Sequence, residues 1–376
     1  MTAKNVQSRE TLHLPSTRGF TLIELLVAVA VFITVSSAAF TLFNYQQQAL
    51  TQQQGLSGLN IAIRNALTQV QLDAANSANG LDLGAYAPAW PVGVEIKNQN
   101  PSTACNTGAP NYQFSSSCFD TVNFILADRN TPACNLAANL DTATATTVNV
   151  VPSTGTAATY YSHFLAGDEL MVVSGAGTPF TTITLTANAT QSGSNIVLNF
   201  TSTSAPTTTP SDPGGINPSD SPCPPAGTGL CLTTDALSTY RGVNFYQSSP
   251  TTDWVIRLAP ITYYVDTTNA NDPKLMRQVK GGTAAEVMDQ LVSFKVGAAL
   301  VNDTTGNYYY NASAATNTLG GFNNDFTLVR SVRVSILART PPNATISYRN
   351  QFDEGPYQVL GASVVVNPRN MSMRDQ

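Results

Sequence analysis

The chain has 376 residues, of which 42% are hydrophobic and only 11% charged, whereas an average soluble protein has about 25% charged residues. The net charge is −5, and without residues 1–19 it becomes −7, because 15 basic side chains then face 22 acidic ones. This balance argues against nonspecific binding to a phosphate backbone, so no nucleic-acid partner is expected.

The first predicted element is an apolar run over residues 20–43, which as a helix rises about 36 Å at ~1.5 Å per residue and can cross a bilayer. Lys4, Arg9 and Arg18 precede this run. By the positive-inside rule they keep the amino end in the cytoplasm and send the rest of the chain outward. The sequence SSAA at residues 36–39 offers an alternative, ordinary signal cleavage site. We therefore expect a single-pass protein of the inner membrane with its head outside.

Glu24 is the only charged residue inside this apolar run. A carboxylate in hydrocarbon costs about 2.5 to 3.5 kcal/mol unless it finds a partner, and such residues usually mark a functional position. No Lys or Arg lies within the run, so the run itself offers no cationic partner. The alternative is a carboxyl group near the interface that stays protonated or snorkels to water.

The sequence RGFTLIELLVAVAVF places Gly19 before the run, Phe20 at its first position and Glu24 at its fifth. This combination resembles the type IV prepilin class. The resemblance implies that residues 1–19 are a leader, that a membrane prepilin peptidase cuts between Gly19 and Phe20, and that the new amine of Phe20 is methylated. It also implies that the Phe20 amine of a neighbouring pilin subunit neutralises Glu24 when the helices assemble into a filament.

Residues 44–80 predict an amphipathic continuation of the same helix, ending near the NSANG sequence. Apolar residues recur there at spacings of three and four: Leu56, Leu59, Ile63, Ala66, Leu67 and Val70. Such a face indicates a helix against which a globular head folds. A coiled-coil partner is the competing interpretation, although the heptads are few.

Residues 81–376 predict a β-rich head of mainly antiparallel strands, so the fold class is α+β with a long amino-terminal helix packed on that head. Short β-branched and aromatic segments separated by Gly, Ser or Asn indicate strands at residues 120–127, 146–152, 168–174, 180–187 and 194–200. Residues 201–229 are too rich in Pro, Ser and Thr for regular structure. They form an exposed insertion in the head or divide it into two subdomains.

The carboxyl-terminal third predicts further strands. Residues 253–268 can supply two strands, and AAEVMDQ predicts a helix-like turn before the strand LVSFKVGAAL. The segment RSVRVSILART alternates, with Val332, Val334 and Ile336 on one face. The succession of YYV, LMR, EVMDQLVSFKV, VRVSILAR and a late RN resembles the PilW family of minor pilins.

All five cysteines lie beyond the apolar run and at no metal-binding spacing, which favours disulfides in an oxidising compartment. Cys223 and Cys231 close a short Pro/Gly loop, Cys105 and Cys118 could close a second, and Cys134 is left over. The alternative is that all five are reduced.

Little in the sequence predicts an enzyme, a cofactor or a metal site. His163 is the only histidine after the leader, and its position at a strand edge favours a structural role. No HExxH, Walker or GxSxG motif occurs. Oxygen-bearing side chains at residues 266–272 could bind calcium, but an Asn/Asp-rich hairpin turn explains them equally well.

These features predict a minor, non-catalytic subunit of a type IV pilus, which prepilin peptidase processes and which joins other pilins through its amino-terminal helix. A related alternative is a J-type minor pseudopilin of a type II secretion system. Two others are an envelope adhesin or carbohydrate-binding module that uses a prepilin anchor, and an anchored hydrolase, which the single mature histidine weakens.

Overall fold

The structure is a computed structural model that describes residues 20–81, 93–97, 105–108, 111–140, 146–175, 180–200, 245–248, 252–280, 282–300, 308, 329–343, 348–368 and 370. The chain divides into two units, residues 1–55 and 56–376. The longest element is helix α1, Leu22–Ala75.

Within the second unit, α1 buries one face, as its apolar spacing predicts. Its buried residues are Leu59, Ile63, Ala66, Leu67, Val70 and Ala74. Turn residues follow Ala75, and Gly80 adopts a φ of +77°. A Cβ at Gly80 would lie only 3.0 Å from the Cβ of Ala127, so this turn requires glycine for both its conformation and its close approach.

Strands make up most of the described head. In chain order they are β1 (Val94–Lys97), β2 (Thr121–Phe124), β3 (Cys134–Leu136), β4 (Thr147–Pro152), β5 (Glu169–Val173), β6 (Phe180–Thr184), β7 (Thr190–Ser192), β8 (Asn195–Asn199), β9 (Trp254–Arg257), β10 (Ile261–Asp266), β11 (Lys274–Val279), β12 (Ala285–Met288), β13 (Leu291–Leu300), β14 (Val329–Arg339) and β15 (Val359–Val366). A short helix α2 (Ala157–Tyr160) and two 3₁₀ turns, Ser116–Cys118 and Tyr161–His163, complete the described elements.

Two of the three sheets enclose the buried face of α1. One has the order β1-β2-β10-β11-β12 and the other the order β13-β14-β15. Val332, Val334 and Ile336 of β14 are buried, as their alternation predicts. We call α1 from residue 56 onward, these two sheets and their shared apolar interior the helix core.

All pairings between the strands named above are antiparallel, and the one parallel contact among the described bridges is Phe119 with Phe294. This pattern confirms the predicted α+β fold of a long helix and a mainly antiparallel head. The helix-like turn predicted from AAEVMDQ is wrong, because these residues include β12, which pairs with β11. The local sequence is a reasonable helix former, but the free edge of β11 supplies backbone partners that override this weak preference.

The third sheet, in the order β6-β5-β9-β3-β4-β8-β7, closes into a small barrel. Closure occurs where Leu185, after β6, bridges Phe200, after β8, and where Thr186 N donates to Asn199 O at 2.9 Å. The barrel has a separate apolar interior. We call residues 128–258 the barrel insert, because its two ends meet at an antiparallel bridge between Ala127 and Leu258.

Two strands of the barrel insert contribute side chains both to the barrel interior and to the interior of the helix core. In β5, Leu170 and Val172 face the barrel interior, whereas Met171 and Val173 belong to the helix core. In β9, the adjacent residues Val255 and Ile256 divide in the same way. Because both faces of these strands are buried, the barrel is packed firmly against the helix core rather than tethered to it. Residues 201–229, predicted to be an exposed insertion or a division between subdomains, lie outside the described residues.

An ionic cluster fixes the end of α1 to the sheet. Both carboxylate oxygens of Asp73 accept hydrogen bonds from Arg277, from Nε at 2.6 Å and from Nη2 at 3.1 Å, and Tyr263 Oη donates to Asp73 at 2.6 Å. Burial and the bond to Asp73 both raise the pKa of Tyr263, so its hydroxyl stays a donor. Such a paired, two-point contact defines the register of the helix on the sheet.

Replacing Asp73 by alanine is expected to lower the free energy of unfolding of the full chain by about 2–4 kcal/mol, because Arg277 then loses its partner while partly buried. Denaturant titration measures the change. The matched control is Glu286→Ala, which breaks the exposed pair with Lys274 and should cost far less stability than Asp73→Ala, because solvent screens this pair. Equal effects of the two substitutions would contradict the role given to Asp73.

Candidate assembly site

The start of α1 is built around a reciprocal pair of Thr21 and Glu24. The backbone N–H and the hydroxyl of Thr21 donate to Glu24 Oε2 at 2.9 and 3.0 Å. In return, Glu24 N donates to Thr21 Oγ1 at 3.3 Å. This is the capping-box arrangement, in which a Thr at the helix cap and a Glu three residues later satisfy each other's backbone groups.

The capping box changes the interpretation of Glu24. The sequence suggested an acid that needs a partner from another chain, whereas the structure gives Glu24 a partner three residues before it. The pattern T-x-x-E was visible in the sequence, so this role of Thr21 could have been predicted. Both hydrogen bonds from Thr21 go to Oε2, so Oε1 of the same carboxylate remains the oxygen through which a cation could approach.

Large apolar side chains cover the part of α1 that follows this cap. Those most exposed within the first unit include Phe20 at 82%, Leu22, Ile23, Phe32, Phe40 and Tyr45. The helix contains a window with a mean hydropathy of 2.4, and none of that window is buried inside the protein. An exposed apolar helix of this length needs lipid or other helices around it.

The remaining predicted site residues fall in different places. Gly19, Cys223 and Cys231 lie outside the described residues. Cys105 and Cys118 form a disulfide in the structure. Cys134 is a free thiol in the barrel interior, where burial raises its pKa to about 12, so it is an unreactive apolar side chain rather than a nucleophile.

One segment near each end of the chain matches a known family model. Residues 14–40 match the family model described as the prokaryotic N-terminal methylation motif. The segment with Gly19, Phe20 and Glu24 is therefore similar to the start of type IV prepilins. Residues 262–376 match the family model of the Type IV Pilus-assembly protein W. These two matches confirm the predicted resemblance to prepilins and, among them, to PilW-type minor pilins.

No curated protein matches the chain. Among solved structures, a type IV-like pilin from Thermus thermophilus is similar over 57% of this chain and 90% of its own, at 10% identity and a TM-score of 0.19. The match to the N-terminal methylation motif indicates membrane anchoring, processing by prepilin peptidase and association with pilins.

The remaining acidic and histidine candidates have structural partners. His163 lies in a 3₁₀ turn rather than at a strand edge, and its Nδ1 is 3.1 Å from Thr131 Oγ1. In the 266–272 loop, Asp266 accepts from Thr268 N at 2.9 Å and Asn269 from Asn271 N at 3.2 Å. These are turn-forming bonds. Among the described residues, no group of three or more His, Cys, Asp or Glu could hold a metal ion.

A polar cluster around Asp353 was not predicted from the sequence. Its carboxylate accepts hydrogen bonds from Asn106 and Asn350 side chains, from Gly355 N and from Tyr357 Oη. Burial alone would raise the pKa of Asp353, but these donors outweigh it and hold the pKa below its ordinary value. The contacts join segments far apart in the chain.

Because the pKa of Asp353 is lowered in the folded chain, we expect the free energy of unfolding to fall at acidic pH. Because the folded pKa of Asp353 is below the unfolded one, its stabilising contribution is present above the ordinary Asp pKa of about 3.9 and is lost as the pH falls through the folded value. Free energies of unfolding measured from neutral to acidic pH should show a weaker pH dependence in Asp353→Asn. The adjacent, exposed Glu354→Gln is the control, and an identical effect of both would contradict the prediction.

Proposed function

We propose that the chain is a minor type IV pilin, inserted in the inner membrane with its amino end inside and its head outside. Prepilin peptidase removes residues 1–19, and the apolar helix from Phe20 then packs among the equivalent helices of other pilins. The observation that carries the proposal is the capped, apolar start of α1, with no part of its most apolar window buried inside the protein.

The carboxyl-terminal match supports a pilus rather than a secretion pseudopilus. Residues 262–376 resemble a pilus-assembly family, and they include most of the two sheets of the helix core. A role as a minor subunit fits the size of the head, because heads this large would crowd one another if the subunit were repeated along a thin filament. The described contacts of His163 and Asp353 support a non-catalytic subunit.

The proposal is tested at the mature amino terminus. We expect mass spectrometry of protein from cells with prepilin peptidase to find a methylated chain beginning at Phe20, and protein from cells without the enzyme to retain residues 1–19. The control is a substitution at Gly19, which should block cleavage. A product that begins after residues 36–39, or one that forms without the peptidase, would contradict the assignment.

A second candidate function is a binding module carried on a prepilin anchor. The barrel insert favours it, because residues 128–258 have their own apolar interior and lie outside the region that resembles the pilus-assembly family. Filament incorporation and ligand binding are compatible in one subunit. The first function is assigned to the helix and the helix core, and the second to the barrel insert.

A further inference from the structure

Strand β15 is an edge of the sheet β13-β14-β15 that nothing protects from pairing. All eight of its residues pair with β14 without a register shift, and no strand in the described part of the chain pairs with its other edge. Residues 359–366 contain no charged residue and no proline. Natural edge strands usually carry charges, proline or bulges that prevent pairing with another chain. β15 has none of these features, so its backbone is open to a further strand.

The other edges of the described sheets are protected. At the opposite edge of the same sheet, Asp120 N donates to Phe294 O at 2.8 Å and Val296 N donates to Asp120 Oδ2 at 2.9 Å, so Asp120 occupies the edge of β13. In the five-stranded sheet, edge strand β1 carries Glu95, and edge strand β12 carries Glu286 and shifts register on β11. The barrel closes on itself. Among the described edges, β15 therefore differs in lacking any such device.

The side of β15 that faces the helix core is only partly covered. Leu360, Ala362 and Val364 alternate on this side. Their partners on β14 are at most 2% exposed, whereas Leu360 and Val364 are half-buried and Ala362 is exposed. A further strand with apolar side chains on the same side would remove this surface from water. The sheet is therefore incomplete at β15 in its packing as well as in its backbone pairing.

The geometry of the edge selects the kind of partner. A row of backbone donors and acceptors at strand spacing is matched only by another extended polypeptide. On the side of β15 away from the helix core, Gly361, Ser363 and Val365 are exposed and uncharged, so a strand can approach without desolvating a charge. The partner is consequently an extended segment whose side chains facing the helix core are apolar.

A second copy of this chain has such a strand in its own β15 but does not fit. Antiparallel pairing of two β15 edges requires a two-fold axis perpendicular to the sheet, which reverses the direction of α1 in the second copy. Chains inserted in one membrane with the same orientation do not have opposed helices. Parallel pairing of the same two edges would place the two helix cores on opposite faces of the sheet, where neither covers the other.

We propose that β15 pairs with an extended strand of a different protein subunit, which extends the sheet β13-β14-β15. Backbone hydrogen bonds supply affinity, and apolar side chains placed beside Leu360, Ala362 and Val364 supply specificity. The exclusion of a second copy rests on the proposed function, because it uses the membrane orientation. The ability of β15 to accept a strand does not rest on it.

The test uses the purified full chain in detergent and a synthetic peptide as long as β15, with alternating Val and Thr and a Lys at each end for solubility. The matched probe is the same peptide N-methylated at consecutive central residues, which blocks both of its edges. The unmodified peptide is expected to bind at least about tenfold more tightly, because the methylated one lacks backbone donors. Binding should slow amide hydrogen exchange within residues 359–366 and leave exchange in β12 unchanged.

Ala362→Lys should abolish peptide binding, because it places a charge beside the incoming strand. The matched control is Ala285→Lys, the same change at an exposed alanine of edge strand β12, which should leave binding unchanged. Hydrogen exchange of the unaltered chain decides the matter if Ala362→Lys does not fold.

The proposal is overturned if the unmodified peptide does not bind, if both peptides bind equally, or if the slowed exchange lies outside β15. Dimers of the full chain that Ala362→Lys dissociates would also overturn it, because a second copy would then occupy the edge. Correct processing at Phe20 in the same preparation separates any such failure from a failure of the proposed function.

Discussion

Replacing Glu24 by alanine is expected to leave cleavage before Phe20 unchanged and to reduce incorporation into filaments at least tenfold. Glu24 is the only charged group that this chain supplies within residues 20–43, so in the proposed assembly it is the only partner on this chain for a neighbouring subunit's amine. A tenfold loss corresponds to about 1.4 kcal/mol, less than an unpaired charge costs in hydrocarbon. Incorporation is measured as the ratio of this subunit to the major pilin in sheared filaments.

The capping box makes Glu24→Gln the decisive comparison. Glutamine at this position can still complete the cap with Thr21 but carries no charge. If Glu24 acts through a neighbour's amine, alanine and glutamine should reduce incorporation alike. Recovery of incorporation with glutamine would show that the cap, rather than the charge, is what the filament requires.

Replacing Arg339 by alanine is expected to lower the free energy of unfolding by about 3–5 kcal/mol. Arg339 is 1% exposed, and its guanidinium carbon lies 4.9 Å from the ring centroid of Phe114 and 4.8 Å from that of Tyr357. Its nitrogens donate to Gln290 Oε1, Tyr112 O and Asn271 O. Removal leaves a cavity between two rings and three acceptors without their donor.

The matched control lies on the same strand. Arg333 is exposed, and its guanidinium donates only a long bond of 3.3 Å to Ser363 Oγ. Arg333→Ala should change the free energy of unfolding by no more than about 0.5 kcal/mol. Denaturant titration of both variants, with circular dichroism as the readout, compares them directly. A small effect at Arg339 would mean that the head relaxes to fill the site.

Helix α1 and most strands were predictable because each has a local periodicity. The apolar spacing of three and four identified the buried face from Leu59 to Val70, and alternation identified Val332, Val334 and Ile336. The assembly segment was predictable for a different reason, since Gly19, Phe20 and Glu24 form an ordered motif. In these places the residues that define the structure are neighbours in the chain.

The barrel was not predictable, because its closure depends on residues that are far apart in sequence. β3 is only three residues long and is stabilised by pairing with β9, where Cys134 lies opposite Val255. The site of Arg339 has the same origin, since its acceptors come from Tyr112, Asn271 and Gln290. No local pattern reports partners that are supplied from 49 to 227 residues away.

The capping box also has a consequence for proteolysis. Thr21 caps the helix, which begins at Leu22, so Phe20 lies before the first helical turn. A peptidase that cuts before Phe20 therefore meets an unwound backbone at that residue and need not melt a turn of helix inside the membrane. The same two side chains that stabilise the helix start thus also keep Phe20 outside the first helical turn.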